Sequence, residues 1–141
     1  MTGNSPRVAE TKVHVRYAET DAMGVVHHAA YLVYFEEGRS HFMRALGANY
    51  ADIEANGYRL PVTEAHLRYT EGIAYGDEVI IKTWLAQSRS RQLEFAYELL
   101  SANSGKKLVR GYTRHVWTDT RGKVARTPQV WRELVARLSL P

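Results

Sequence analysis

From Tyr31 onward, apolar positions recur at helical spacing through Phe35, Gly38, Phe42 and Leu46, and Tyr34 and Met43 widen the stripe. That period predicts one long, largely buried helix, and Gly47 supplies its C-terminal stop. Upstream, Lys12 to Tyr17 alternates, with Val13, Val15 and Tyr17 on one side and Lys12, His14 and Arg16 on the other. This is the pattern of a half-buried strand that ends with Tyr17 facing inward. After the helix, a short helical piece over Tyr50 to Ala55 is expected to end at Asn56-Gly57, and Pro61 then forces extended chain up to about Thr70. Three further strands follow, at about Asp77 to Ser88, Arg91 to Ala102 and Lys106 to Thr118. Their links are too short for anything but an antiparallel meander. In the middle strand Leu93, Phe95, Tyr97 and Leu99 face one way and Gln92, Glu94, Ala96 and Glu98 the other, so one face is covered. Asp119 to Gly122 reads as a turn. Thr127 and Pro128 read as the N-cap and first residue of a terminal helix whose stripe holds Val130, Trp131, Leu134 and Leu138.

A strand, a long helix and then four antiparallel strands make an α+β architecture in which a curved sheet of about five strands wraps a central helix, with a C-terminal helix added. The length of 141 residues and 45% hydrophobic content suit a single domain over 1–141 that buries its own core. Met1 to Arg7 is expected to be a flexible tail. No apolar run reaches membrane-spanning length and the N-terminus lacks the apolar stretch of a secretory signal, so the expected location is the cytoplasm. There is no cysteine, which excludes disulfides, thiolate ligands and a cysteine nucleophile. The net charge of +4 would suit an anionic partner. Its basic residues are scattered, however, and form no arm of the kind that binds nucleic acid.

The chemistry concentrates between Tyr17 and Glu36. Asp21 lies on a loop containing Gly24, just ahead of the long helix, where free backbone N–H groups and the helix dipole favour negative charge. Such an aspartate can simply cap a turn. A carboxylate beside free amides can also take a proton from water or attack an acyl carbon, while the amides hold the oxyanion that forms. His28 follows seven residues later, with an imidazole able to hold water or protonate a leaving group. His27 and His28 form no His-x-x-x-His spacing with His41, so no metal site is expected. Glu36 can pair with Arg39 or face water. Tyr31, Tyr34, Phe42, Tyr69 and Trp84 are candidates for lining an acyl pocket or for plain core.

The segment from Tyr17 to Glu36 resembles the signature of the 4-hydroxybenzoyl-CoA thioesterase-like family of hot-dog-fold proteins, in its YbgC-type acyl-CoA thioesterase branch. Asp21, Gly24, His28, Tyr31, Phe35 and Glu36 match together, and the order of elements agrees over about residues 8 to 138. The resemblance implies a hot-dog fold and hydrolysis of an acyl-CoA thioester to a free acid and CoA. Asp21 would be the general base or nucleophile, with His28 and Tyr17 beside it, and the helix-start groups of His28 and Ala29, with Gly24, would bind the thioester oxygen. Arg89 and Arg91 match loosely where related enzymes hold the CoA nucleotide. The resemblance further implies a homodimer or homotetramer with sites at subunit interfaces, and no cofactor, since CoA is part of the substrate. One position departs: the family often carries Asn two residues after the matched histidine, and Ala30 stands there. A hot-dog module that binds acyl-CoA or an acyl carrier without hydrolysing it is the competing expectation.

Overall fold

The structure, a computed structural model, describes residues 8–138, so the tail expected at Met1 to Arg7 lies outside it. Five strands, β1 (Val8–His14), β2 (Val62–Tyr69), β3 (Glu78–Ser88), β4 (Gln92–Ser101) and β5 (Lys107–Val116), form one antiparallel sheet in the order β1-β3-β4-β5-β2. Across it lies α1 (Ala30–Leu46), followed by the short α2 (Tyr50–Ala55), and α3 (Gln129–Val135) closes one end.

Helix α1 forms where the period predicts and stops at Gly47, which takes φ +95° in the left-handed region. Its buried stripe includes Tyr31, Tyr34, Phe35, Phe42, Met43 and Leu46. The sheet answers with Leu93, Phe95, Tyr97 and Leu99, each no more than 2% exposed, so the alternation along β4 points as expected. Phe35 stacks on Tyr97 with ring centroids 4.1 Å apart, and Phe42 meets Phe95 edge-on at 5.6 Å. At the far end Trp131 of α3 packs on Trp117 and Phe95.

Three local expectations give way. Strand β1 ends at His14, and Val15, 2% exposed, still faces the core as expected. The Glu19 carboxylate then accepts from the Arg16 backbone N–H at 2.9 Å and from Arg16 Nε at 2.7 Å across a 3-10 turn, Tyr17–Glu19, which swings Tyr17 out to 77% exposure instead of inward. Thr127 caps no helix, because its hydroxyl donates to the Arg89 carbonyl at 2.6 Å and ties the segment to the β3–β4 turn; Pro128 occupies the cap position. Of the terminal stripe Trp131 is buried and Leu134 and Leu138 pack against the core, but Val130 is 64% exposed, since one short helix over a sheet end covers little of its own circumference.

A polar chain threads the core. Arg39 on α1, 7% exposed, donates from Nε to the Tyr50 hydroxyl at 2.6 Å and from Nη1 to the Tyr97 hydroxyl at 3.1 Å. Tyr97 bonds Thr113 at 2.6 Å, Thr113 bonds His115 Nε2 at 2.8 Å, and His115 Nδ1 meets the Leu60 carbonyl at 3.2 Å. A carbonyl only accepts, so Nδ1 carries the proton and Nε2 of the neutral ring accepts from Thr113. Every proton then runs one way, from Arg39 through Tyr97 and Thr113 to His115. Burial, and after it the Arg39 charge, lowers His115 from 6.5 to about 4. The unfolded chain therefore binds the extra proton first, and stability is full above about pH 6.5 and falls as the pH drops toward 4. A loss of order 2 kcal/mol over that interval is expected in denaturant titrations, and His115→Gln should flatten this part of the profile whatever its effect at neutral pH. An unchanged slope in that variant would contradict it.

Candidate active site

The Asp21 loop is a small hairpin held at both ends. Thr20 and Val26 bridge, the Asp21 N–H donates to the Val25 carbonyl at 2.8 Å, and the Gly24 N–H returns to the Asp21 carbonyl at 3.0 Å. Gly24 takes φ +78°, which explains glycine at that corner. The hairpin is moored on the segment before β3 by a bond from Val26 N–H to the Ile73 carbonyl at 2.7 Å. On its other side the His27 N–H donates to the Glu19 carbonyl at 2.8 Å. Glu19 is itself clamped, since its carboxylate accepts from the Tyr34 hydroxyl at 2.7 Å and the Arg16 amide at 2.9 Å. Burial acts to raise the Glu19 carboxyl, but these donors and the Arg16 guanidinium outweigh it and hold it below its ordinary range. Glu19 thus stays an anionic fastener between the loop and α1, a role its place in the sequence did not suggest.

Within this frame Asp21 Oδ1 accepts from Met23 N–H at 2.8 Å and, more distantly, from Val25 N–H at 3.4 Å. The turn-capping role and an available carboxylate therefore coexist: Oδ2 has no hydrogen-bond partner among the described residues. Asp21 shares a recess of about 310 Å³ with His28, Val26, Tyr31, Tyr69 and Glu71. The His28 backbone N–H, at the entrance to α1, also has no acceptor among the described residues. Ala29 differs, because its N–H donates to His27 Nδ1 at 3.1 Å; His27 caps the helix start and stacks on His28 at 4.2 Å. The Gly24 amide is spent in the turn. Tyr31 is buried against Tyr69 at 5.2 Å. Burial raises its hydroxyl above the ordinary range, with Tyr69 and the Asp21 charge acting the same way.

The structure brings Asp21 and His28 together and leaves other candidates apart. Tyr17 stands outside the recess, edge-on to Tyr75 at 5.8 Å. Arg89 and Arg91 flank the β3–β4 turn at the opposite end of the sheet, the length of the eleven-residue β3 away, or about 35 Å. Of the aromatic candidates, Tyr31 and Tyr69 line the recess and Phe42 is core, whereas Trp84 lines a groove on the outer face of the sheet. Tyr34 serves Glu19. Glu71, which pairs with Lys106, reaches the site from the β2–β3 link, and nothing in its local sequence signals that. The described residues hold no group of three or more His, Asp or Glu that could ligate a metal, and none of their helices is long and apolar enough to cross a membrane.

The same fold, a curved sheet wrapped around a long helix, is found in solved structures of similar sequence. A Thermus thermophilus protein, TT1821, superposes with a TM-score of 0.86 at 38% identity, covering 92% of this chain and 98% of that one. The DHNA-CoA thioesterase of Staphylococcus aureus superposes with a TM-score of 0.88 at 30% identity, covering 92% and 89%. In sequence, YneP of Bacillus subtilis is 32% identical over 112 residues, 79% of this chain and 80% of YneP. The Escherichia coli acyl-CoA thioester hydrolase YbgC is 27% identical over 92 residues, 65% of this chain and 69% of its own. The model of the thioesterase-like superfamily matches residues 15–137. The chain belongs to that family, the hot-dog thioesterases of the 4-hydroxybenzoyl-CoA thioesterase-like kind.

Proposed function

We propose that this protein hydrolyses an acyl-CoA thioester to a free carboxylic acid and CoA, with Asp21 as the catalytic carboxylate. The carrying observation is that Asp21 and His28 line the same recess, and among the described residues one Asp21 oxygen and the His28 N–H have no hydrogen-bond partner while the other oxygen anchors the loop. As general base, Asp21 takes a proton from water while the water oxygen bonds to the acyl carbon; the His28 N–H and the positive end of α1 hold the oxyanion. Collapse breaks the carbon–sulfur bond, and the proton on Asp21 passes to the departing thiolate. As nucleophile, an Asp21 oxygen would bond to the acyl carbon as the carbon–sulfur bond breaks and the CoA thiolate leaves, and water would then open the mixed anhydride to the acid and the free Asp21 carboxylate. The His28 imidazole is within the recess to hold that water or deliver the proton.

A homodimer completes the reading. β2 is one of the two edges of the sheet, and Val62, Tyr69, Leu32 and Val33 on and beside it are all more than 40% exposed. Antiparallel pairing of two β2 edges sets the Tyr69 end of each chain, which carries the recess, against the Val62 end of the other. Arg89 and Arg91 belong to that second end, so across such a dimer they lie on the same side as Asp21 and can meet the CoA phosphates.

Thiol release from short, long and aromatic acyl-CoAs tests this. Saturable turnover of at least one is expected, and exchanging Arg89 and Arg91 together for Ala should raise KM about tenfold with little change in kcat. CoA-thioester binding by calorimetry with no thiol released would favour the non-hydrolytic module instead.

A further inference from the structure

Among the described residues, a single side-chain hydrogen bond ties the Asp21 hairpin to the body of α1: the one from the Tyr34 hydroxyl to Glu19 Oε1. The moorings on the other side are backbone, from Val26 N–H to the Ile73 carbonyl and from Tyr75 N–H to the Gly24 carbonyl at 3.3 Å. Glu19 stands at the base of the hairpin. Its carbonyl receives the His27 N–H, so the two arms join there, one leading in two residues to Asp21 and the other in one residue to His28. Its side chain is 10% exposed, and besides Tyr34 the carboxylate accepts from the Arg16 backbone N–H, from Arg16 Nε and, at 2.5 Å, from Arg16 Nη2. The Arg16 contacts close only a local turn. The Tyr34 bond is the one that reaches another element.

Burial, and after it the Glu19 bond, raises the Tyr34 hydroxyl well above its ordinary range, so it stays a donor to the carboxylate. Tyr34 also meets Tyr31 edge-on at 6.1 Å, and Tyr31 lines the Asp21 recess. A catalytic carboxylate and an oxyanion donor have to be held within about 0.5 Å of their productive arrangement. Asp21 rides on the hairpin and the His28 N–H sits at the entrance to α1. A pivot of the hairpin against the helix would therefore change their separation.

We propose that Glu19 and Tyr34 are positioning residues for thioester hydrolysis, clamping the hairpin to α1 so that Asp21 and the His28 N–H face the same acyl carbon. The inference rests on the reading of Asp21 as the catalytic carboxylate. Neither side chain lines the recess; both border a separate hollow of about 240 Å³ between the end of β1 and α1. Their contribution therefore falls on the chemical step and not on substrate affinity.

Two variants test the clamp. Glu19→Gln keeps the size of the side chain and one accepting oxygen but turns an amide NH₂ toward donors, and Tyr34→Phe removes only the bond to α1. Each should lower kcat about tenfold to a hundredfold with KM within about twofold of wild type, in proteins that circular dichroism shows folded at the assay temperature. Because both break one link, the double variant should lose no more than the worse single variant. Independently of turnover, the NMR signals of the His28 amide and the Asp21 carboxyl carbon should move in both variants. Folded variants with kcat within about twofold of wild type, a loss carried by KM instead, or losses that multiply in the double variant would overturn the proposal. Absence of thiol release by the wild type would remove the thioesterase reading itself. In that event shifted Asp21 and His28 signals would still assign the clamp to Glu19 and Tyr34, and unmoved signals would overturn it.

Discussion

Asp21→Asn lowers kcat for thioester hydrolysis by about 10²- to 10⁴-fold while the protein melts within a few degrees of wild type: that is the expected result for the substitution closest to the chemistry. The reasoning separates the two oxygens of the side chain. Oδ1 holds the hairpin through the Met23 and Val25 amides, and an asparagine carbonyl oxygen accepts the same bonds, so the turn survives. Oδ2 is replaced by an amide nitrogen, which can neither take a proton from water nor attack a carbonyl. The loss should therefore fall on kcat, with KM little altered, because ground-state binding does not use the lost basicity. Turnover near wild type in a folded Asp21→Asn protein would remove Asp21 from the mechanism. Oxygen-18 from water appearing in the Asp21 carboxylate under single-turnover conditions would select the anhydride route over general-base catalysis.

The second large effect is structural. An alanine methyl at Gly111 would fall far inside van der Waals contact of the His66 carbonyl oxygen and 2.9 Å from a ring carbon of Phe35. The obstacle is backbone in the β2–β5 ladder, where Gly111 stands opposite Leu67, and backbone cannot rotate aside. Gly111→Ala should cost about 3 kcal/mol, or roughly 10 °C in Tm, and should lower activity too, since β2 ends at Tyr69 in the recess. Gly38 offers the contrast. Its added methyl meets Thr83 Oγ1 and, at 2.7 Å, Ile81 Cγ2, which belong to stiff β-branched side chains buried in the sheet, though Thr83 Oγ1 has no hydrogen bond to lose. Alanine is the better helix former by about 1 kcal/mol and side chains give more readily than a strand backbone, so Gly38→Ala should cost less than Gly111→Ala, about 1–2 kcal/mol. Thermal melts of both proteins check the pair; equal losses would mean that α1 yields no more than the sheet does.

The elements legible in advance are those whose period is carried by many residues at once. Seven positions at helical spacing within the sixteen residues from Tyr31 to Leu46, and the strict alternation from Leu93 to Leu99, leave little choice of structure, and both form as read. Tyr17 and Thr127 were misplaced because each sits where a pattern stops. The alternation of β1 extends by chance past the point where Arg16 and Glu19 bond each other, and the Thr127 hydroxyl found the Arg89 carbonyl, 38 residues away in the chain, in preference to a helix amide beside it. Arg39 and His115 show the same gap from the other side. As letters they read as surface charge and a strand polar residue; they are core because Tyr50, Tyr97, Thr113 and the Leu60 carbonyl arrive from four separate parts of the chain to satisfy them.

The candidate site divides along the same line. Asp21, Gly24 and His28 lie within eight consecutive residues, so their grouping depends on a local turn and a helix start, both of which short-range hydrogen bonding dictates. By itself the sequence determined the wrapped α+β fold and the carboxylate waiting at the head of α1. Tertiary structure alone decided that Tyr69 and Glu71 close the recess over it, that Arg89 and Arg91 lie at the other end of the sheet, and that Arg39 sits buried in the core. Those outcomes depend on which distant strands and links come to rest against one another, and that is governed by packing across the whole core, which no short window of sequence encodes.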